Sequence, residues 1–476
     1  MLLSDQSLVR RLFIAALAVL AAFFAVYAAV SSDEYVLKLL YLSIALAVTA
    51  ALTPQAFIAA SALVFAVSTV RNTPVIQALP VEIYLSDAMV LLVVFRGALP
   101  RSRVPRNAVL AGAPIVFFAL WGVIMAVAAI RGIDAGVPFA SAIRSDLALF
   151  YWPLLYFGLA RVLRERDLNV SLLWRDLASV AVGLAVWMFV ARALNQPFED
   201  VGLADVPTSD NSSVPRNFGF ASAFIVYPAL ALVGIAGMAY GGGRRITWTF
   251  LAMVGIVATL MTLVRGEIFG LALGAIVILW LGPRVRTSAR LRSAVQLGFT
   301  VAIFGAAFIA FNPTVGNAIV QRALPFTQQA GGARLNAEYR QQAVETGFRV
   351  AREHPGGLGV LDGGRLDAER IDRGYLAHSG VATLLLFGGW AALVSGLLAI
   401  LALFHRSANV PAPTSWLHPA FVGVLTMLSA YTISAAGLAG DPWVVPLGAL
   451  AVALRFNIRA AGASGWTNRR SGHVAC

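Results

Sequence analysis

The chain has 476 residues, 59% of them hydrophobic and only 12% charged, with a mean hydropathy of +0.78 and a formal net charge of +13. That composition excludes an ordinary soluble domain and reads as a polytopic membrane protein. The positive charge does not indicate a nucleic-acid partner, because the basic residues are scattered through short segments between apolar runs and form no single stripe.

Taken in chain order, Arg10 and Arg11 precede an apolar run with no clear small-residue cleavage site, which predicts an uncleaved first span. Apolar runs then predict membrane helices at 11–30, 36–53, 55–70, 83–95, 108–130, 146–163, 172–194, 218–240, 246–264, 267–282, 293–311, 376–404, 418–438 and 442–456. The third, fourth and last are short. Lipid offers the backbone no hydrogen-bond partners, so such runs must be helical. The expected fold is all-α and polytopic, with about 12–14 transmembrane helices. Its parts are transmembrane helices over 1–311, one large outer loop over 312–374, C-terminal transmembrane helices over 375–458 and a cytoplasmic tail over 459–476.

Placing the N-terminus inside makes alternate loops basic, as the positive-inside rule requires. Arg96, Arg101, Arg103 and Arg106 fall in one such loop, and Arg161, Arg164 and Arg166 in the next. Arg244 and Arg245 follow, then Arg284, Arg286, Arg290 and Arg292, then His405 and Arg406, and finally Arg455, Arg459, Arg469 and Arg470. The opposite loops, around Asp33, Asp205 and Asp441, are acidic or neutral, although Arg71, Arg131 and Arg144 reduce the contrast. The same parity puts 312–374 outside and both termini in the cytoplasm.

The outer loop is the segment that a simple anchor would not need. Between Asn312 and Arg373 it carries eight Arg, no Lys and seven carboxylates, a supply of planar donor forks suited to phosphate. Within it, Leu335, Tyr339, Ala343, Thr346 and Val350 recur at helical spacing, predicting an amphipathic helix over Arg334–Glu353 that lies against the spans or the headgroups. Pro355 and the glycines of HPGGLGV end that helix. The polar LDGGRLDAERIDRGY that follows reads as a flexible cover.

Few residues offer chemistry. Arg265 and Glu267 interrupt a long apolar run at VRGEIFG, which predicts a tight turn between two helices with Arg265 either snorkelling and paired to Glu267 or binding phosphate. Arg216 opens another span at PRNFGF, where a structural role is the simpler reading. His378 stands at the outer edge of the run YLAHSGVATLLLFGGWAALV, where a neutral imidazole could accept a hydroxyl proton, although a lone interfacial histidine is more often structural. His354 reads as a helix-end residue, His405 and His418 fall on the cytoplasmic side, and His473 lies in the tail. No HExxH, P-loop or GxSxG motif occurs. The single cysteine, Cys476, excludes an intramolecular disulfide and any Cys-based metal site, and the adjacent acids Asp33 and Glu34 are a poor metal site.

These fragments together resemble the O-antigen ligase and polymerase superfamily of bacterial membrane glycosyltransferases. VRGEIFG at Arg265 resembles the family's Arg-Gly turn, with Val264 in place of the usual serine. Arg334, Tyr339 and Pro355 to Gly359 resemble its outer-loop arginine, aromatic helix and Pro-Gly-Gly-like turn. His378 and Gly389 resemble its His-Asn and a glycine eleven residues after the histidine, with Ser379 in place of Asn. Arg216 resembles an arginine opening an earlier span. The resemblance implies transfer of a glycan from polyprenyl pyrophosphate to an acceptor hydroxyl on a glycan, lipid or protein, at the outer face of the bacterial inner membrane. It implies an inverting reaction without metal or other cofactor. His378 would be catalytic, and Arg265, Arg334, Arg216 and Arg340 would hold the pyrophosphate. A flippase of lipid-linked oligosaccharides is the rival expectation; it should show two related halves, and no internal repeat is visible.

Overall fold

The computed structural model describes residues 44, 48–49, 51–67, 85–99, 113–142, 154–155, 158–159, 161–162, 170–193, 226–240, 245–262, 265–280, 331–372, 379–408 and 416–434. All regular structure among these residues is helical. In chain order the helices are α1 (Pro54–Val67), α2 (Leu85–Ala98), α3 (Ala113–Asp134), α4 (Val170–Ala193), α5 (Val226–Tyr240) and α6 (Arg245–Thr262). There follow α7 (Arg265–Trp280), α8 (Gly331–Glu353), α9 (Gly363–Ala368), α10 (Gly380–Ala408) and α11 (Leu417–Ser434). Three of them are long and apolar enough to cross a membrane, over Val116–Asp134, Arg245–Thr262 and Gly380–Ala399. The expected spans 11–30, 293–311 and 442–456 lie outside the described residues.

Apolar helices in lipid gain little from burying apolar surface against one another, so close packing depends on small residues that let backbones touch. The pair α5 and α6 shows this. A β-carbon on Gly234 would sit 2.3 Å from the Ala252 nitrogen, and one on Gly255 would sit 2.4 Å from the Ala231 nitrogen. In α7 a β-carbon on Gly274 would sit 2.8 Å from the Gly423 carbonyl oxygen of α11. Helices α6 and α7 are consecutive but diverge after their turn, and α5 packs against both. Helix α3 lies antiparallel to α10, since Gly388 faces Ile124 and Met125 while Gly396 faces Trp121. One continuous core joins these groups, from Phe57 through Met125 and Leu232 to Leu385 and Met427.

Hydroxyls inside the apolar helices are satisfied locally. Ser61, Thr259, Thr426 and Ser429 each donate to the carbonyl four residues back, at 2.7 to 2.8 Å. One charged residue departs from its expected place. Arg96, expected in a basic loop, occupies the last turn of α2 and is 1% exposed. Its guanidinium donates to the Thr49 carbonyl and lies 5.5 Å from the centroid of the Phe57 ring. A carbonyl and an aromatic face hold it inside the bundle, so it marks packing more than topology.

The described part of the expected outer loop, 331–372, is folded onto the bundle. Helix α8 covers the predicted amphipathic stretch. The segment after it, expected as a flexible cover, forms α9 behind an Asp362 cap whose Oδ1 accepts from the Arg365 amide at 2.9 Å. Leu361, Leu366 and Ile371 enter the common core, and these three apolar side chains explain why a polar-looking sequence is ordered.

The α5–α6 contact makes Gly255→Ala destabilising by about 1–3 kcal/mol, because the new methyl group meets backbone that has no rotamer to change. Gly183→Ala, which meets nothing within 4 Å, should leave the melting temperature unchanged or slightly raised. Thermal unfolding of both variants in one detergent measures the difference, and equal melting temperatures would contradict the backbone contact.

Candidate functional site

The site is built around α8, whose sequence separates two faces. Ala343, Gly347, Val350 and Ala351 are buried, whereas Gln341, Gln342, Glu345, Arg349, Arg352 and Glu353 are exposed. Gly347 permits close approach to α10, since a β-carbon there would lie 3.0 Å from the Ala382 Cα. Phe348 meets Trp390 with ring centroids 5.5 Å apart, and the Trp390 indole donates from Nε1 to the Ala351 carbonyl at 3.0 Å.

Beyond α8 the chain enters a gap in α10. Gly389 has φ 62° and ψ −150°, a conformation essentially reserved for glycine, and it breaks that helix. In an unbroken helix the carbonyls of Leu386 and Phe387 would accept from the amides of residues 390 and 391. Instead Leu386 accepts from the Leu358 amide at 2.7 Å and Phe387 from the Gly359 amide at 3.0 Å. The Trp390 amide donates to the Pro355 carbonyl at 3.1 Å. Gly357 and Gly359 have φ values of 74° and 85°, which lets the segment reverse inside the gap. On its other side the Val360 amide donates to the Ala128 carbonyl of α3 at 3.0 Å, and Arg131 donates from Nη1 to the Gly356 carbonyl at 2.6 Å. PGGLGV is therefore a backbone clip joining α3, α8 and α10.

The clip also fixes direction. Gly347 pairs with Ala382 and Pro355 pairs with Trp390, eight residues farther along both helices, so α8 and the first part of α10 run in the same sense. The earlier turns of α8, which contain Arg334 and Arg340, therefore extend toward the end at which α10 begins. That beginning is capped by Ser379. Its Oγ accepts from the Ala382 amide at 3.2 Å, and its carbonyl accepts from the Thr383 amide at 3.0 Å. Asn and Ser are interchangeable N-caps, so Ser379 serves the local backbone as an Asn would.

Arg265 opens α7 three residues after α6 ends, as a tight turn requires. Glu267, in the first turn of α7, is buried, with its Oε2 3.2 Å from the Thr262 hydroxyl. A carboxylate there complements the helix dipole. Helix α7 packs on α11, and α11 on α10. His378 and Arg216 lie outside the described residues. Among the described residues no group of three His, Cys, Asp or Glu side chains could hold a metal ion.

Arg131, Trp390 and Ser379 were not singled out as site residues by the sequence, and neither was Arg365, whose Nη1 is buried without a hydrogen-bond acceptor. The available signal was the pairing of two interruptions, GG at 388–389 inside an apolar run and PGGLG at 355–359 in the loop. No family model matches the chain, and no curated protein is significantly similar to it.

Gly389→Ala should be strongly destabilising, since the new β-carbon would lie 2.0 Å from the Pro355 carbonyl oxygen. Hydrogen exchange should then accelerate at the amides of Leu358, Gly359 and Val360; unchanged protection there would contradict the clip. Ser379→Ala should cost about 1 kcal/mol and Ser379→Asn much less, measured by thermal unfolding.

Proposed function

We propose that the protein is a metal-independent, inverting glycosyltransferase of the O-antigen ligase or polymerase type. It would transfer a glycan from polyprenyl pyrophosphate to an acceptor hydroxyl at the outer face of the bacterial inner membrane, with both termini cytoplasmic. The observation that carries this reading is the clip. The Pro-Gly-Gly-like turn and Gly389, which contribute to the family resemblance, bond to each other's neighbours and align arginine-bearing α8 with the start of α10. In this reading Arg265, Arg334, Arg216 and Arg340 hold the pyrophosphate and offset its growing charge as the sugar leaves. His378, immediately before the Ser379 cap, takes the proton from the acceptor hydroxyl, which attacks the anomeric carbon from the opposite face. The leaving group is already activated, so no nucleotide is required.

A broken helix is also a feature of transporters, and this favours the flippase as the second reading. In a transporter the carbonyls at such a break line the substrate path. Here those of Leu386 and Phe387 are occupied by the clip, which favours the enzyme.

Purified protein given polyprenyl-pyrophosphate glycan and candidate acceptors should release polyprenyl pyrophosphate in the presence of EDTA. His378→Ala should lower transfer by about 10²–10⁴-fold with donor binding retained. Arg265→Ala should weaken donor binding. An active His378→Ala protein would defeat the mechanism, and release from no donor–acceptor pair would defeat the enzyme.

A further inference from the structure

Helix α10 is broken at Gly389 into two parts, residues 380–388 and 390–408. Its two parts differ in surroundings. Residues 382–389 are all buried, and an exposed apolar stripe begins only at Trp390 and continues through Val394, Leu397 and Leu401. Helix α8 provides much of the cover over the first part.

Helix α3 gives a depth scale. It exposes Val116, Leu120, Val123, Val127 and Ile130 along one face, and the last two are 42% and 57% exposed. A stripe of that length is suited to lipid. Because Gly388 is level with Ile124 and Met125, and α3 and α10 run antiparallel, residues 382–388 of α10 lie alongside the part of α3 that carries Val127 and Ile130. Gly347 of α8 meets Ala382, and Arg131 reaches Gly356. The last two turns of α8 therefore stand at the depth of an apolar face.

Yet those turns expose Arg349, Arg352 and Glu353, and Glu345 stands exposed just before them. Charged side chains at that depth face water or protein, not hydrocarbon. We propose that this face of α8 lines a water-filled recess extending into the membrane above the PGGLGV clip, and that the recess binds the hydroxyl-rich glycan of a lipid-linked substrate. The ligand assignment rests on the glycosyl-transfer reading, whereas the recess does not. Chemistry selects the glycan part over its pyrophosphate. Among the described side chains the face carries two arginines against two carboxylates, with two glutamines beside them, so these groups sum to no net charge. Two of its pairings are intrahelical, Gln341 to Glu345 at 2.8 Å and Arg349 to Glu353 at 3.9 Å. A neutral array of donors and acceptors matches hydroxyls, each of which both donates and accepts, while a pyrophosphate requires excess positive charge.

The test is thiol labelling of the full chain with Cys476→Ser, in sheared membrane fragments open on both faces, using a charged membrane-impermeant thiosulfonate. Arg349→Cys and Arg352→Cys should label at least about tenfold faster than Val127→Cys and Ile130→Cys, because the reactive thiolate forms only in water. Slow labelling at 349 and 352 overturns the recess, as does equally fast labelling at 127 and 130, which would put α8 outside the bilayer. Variants that elute as aggregates on gel filtration are replaced by Glu345→Cys and Val123→Cys, with the same criteria. Polyprenyl pyrophosphate carrying a short oligosaccharide should slow labelling at 349 and 352 several-fold, and sugar-free polyprenyl pyrophosphate should not. Equal protection by both, or by neither, overturns the glycan assignment. Protection without any glycosyl transfer rejects the enzyme and leaves this inference standing; transfer without protection rejects this inference alone.

Discussion

Everything around the candidate site depends on one constraint: a backbone amide or carbonyl withdrawn from water must find a partner in the protein. Breaking α10 at Gly389 removes the intrahelical partners of the Leu386 and Phe387 carbonyls, at a cost of several kcal/mol for each if left unmet in lipid. The clip supplies both partners from the Leu358 and Gly359 amides, while the Pro355 carbonyl receives the Trp390 amide that the break released. The exchange is nearly even in hydrogen bonds. What it gains is geometric, because a segment distant in sequence becomes fixed in register to a membrane helix.

That register explains why glycine is needed where it stands. A β-carbon on Gly357 would sit 2.5 Å from the Phe387 carbonyl oxygen, and one on Gly359 would meet the Gly132 nitrogen of α3 at 2.8 Å. Gly132 is equally confined, by the Val360 carbonyl oxygen at 2.7 Å. Three chain segments thus meet backbone to backbone, and a methyl group at any of these positions would separate them. Similar logic operates at α5 with α6 and at α7 with α11, where small residues replace apolar burial as the source of close packing. Positions 357, 359 and 389 differ in also requiring a positive φ, which other residues rarely adopt.

Much of this was legible in the sequence because the strong signals are one-dimensional. Apolar runs predicted α3, α6, α7 and α11 near their observed places, and helical spacing predicted α8 with Ala343 and Val350 on its buried face. Arg96 was misplaced because charge counting has no term for a guanidinium folded back onto a helix carbonyl and a phenyl ring. The order in 361–372 was missed for a related reason: Leu361, Leu366 and Ile371 are too widely spaced to show a period, and only the core they enter makes them anchors. For the clip the sequence offers only the two glycine interruptions at 355–359 and 388–389; which amide meets which carbonyl is not legible, because the partners lie about thirty residues apart in one case and more than two hundred in the other and backbone hydrogen bonds leave no side-chain signature.

The same constraint separates what the clip does from what a ligand site does. Irregular backbone at membrane depth exists either buried in protein or facing a water-filled cavity. Leu358, Gly359 and Val360 are of the first kind, since they are buried and their amides are engaged. The polar face of α8, a few residues earlier, shows the opposite arrangement: side chains exposed while the backbone is helical and satisfied. Rigid support and exposed polar side chains are thus adjacent along a single stretch of chain. In the recess proposed for this face, the support would keep the polar helix on the bundle and the exposed side chains would meet the ligand.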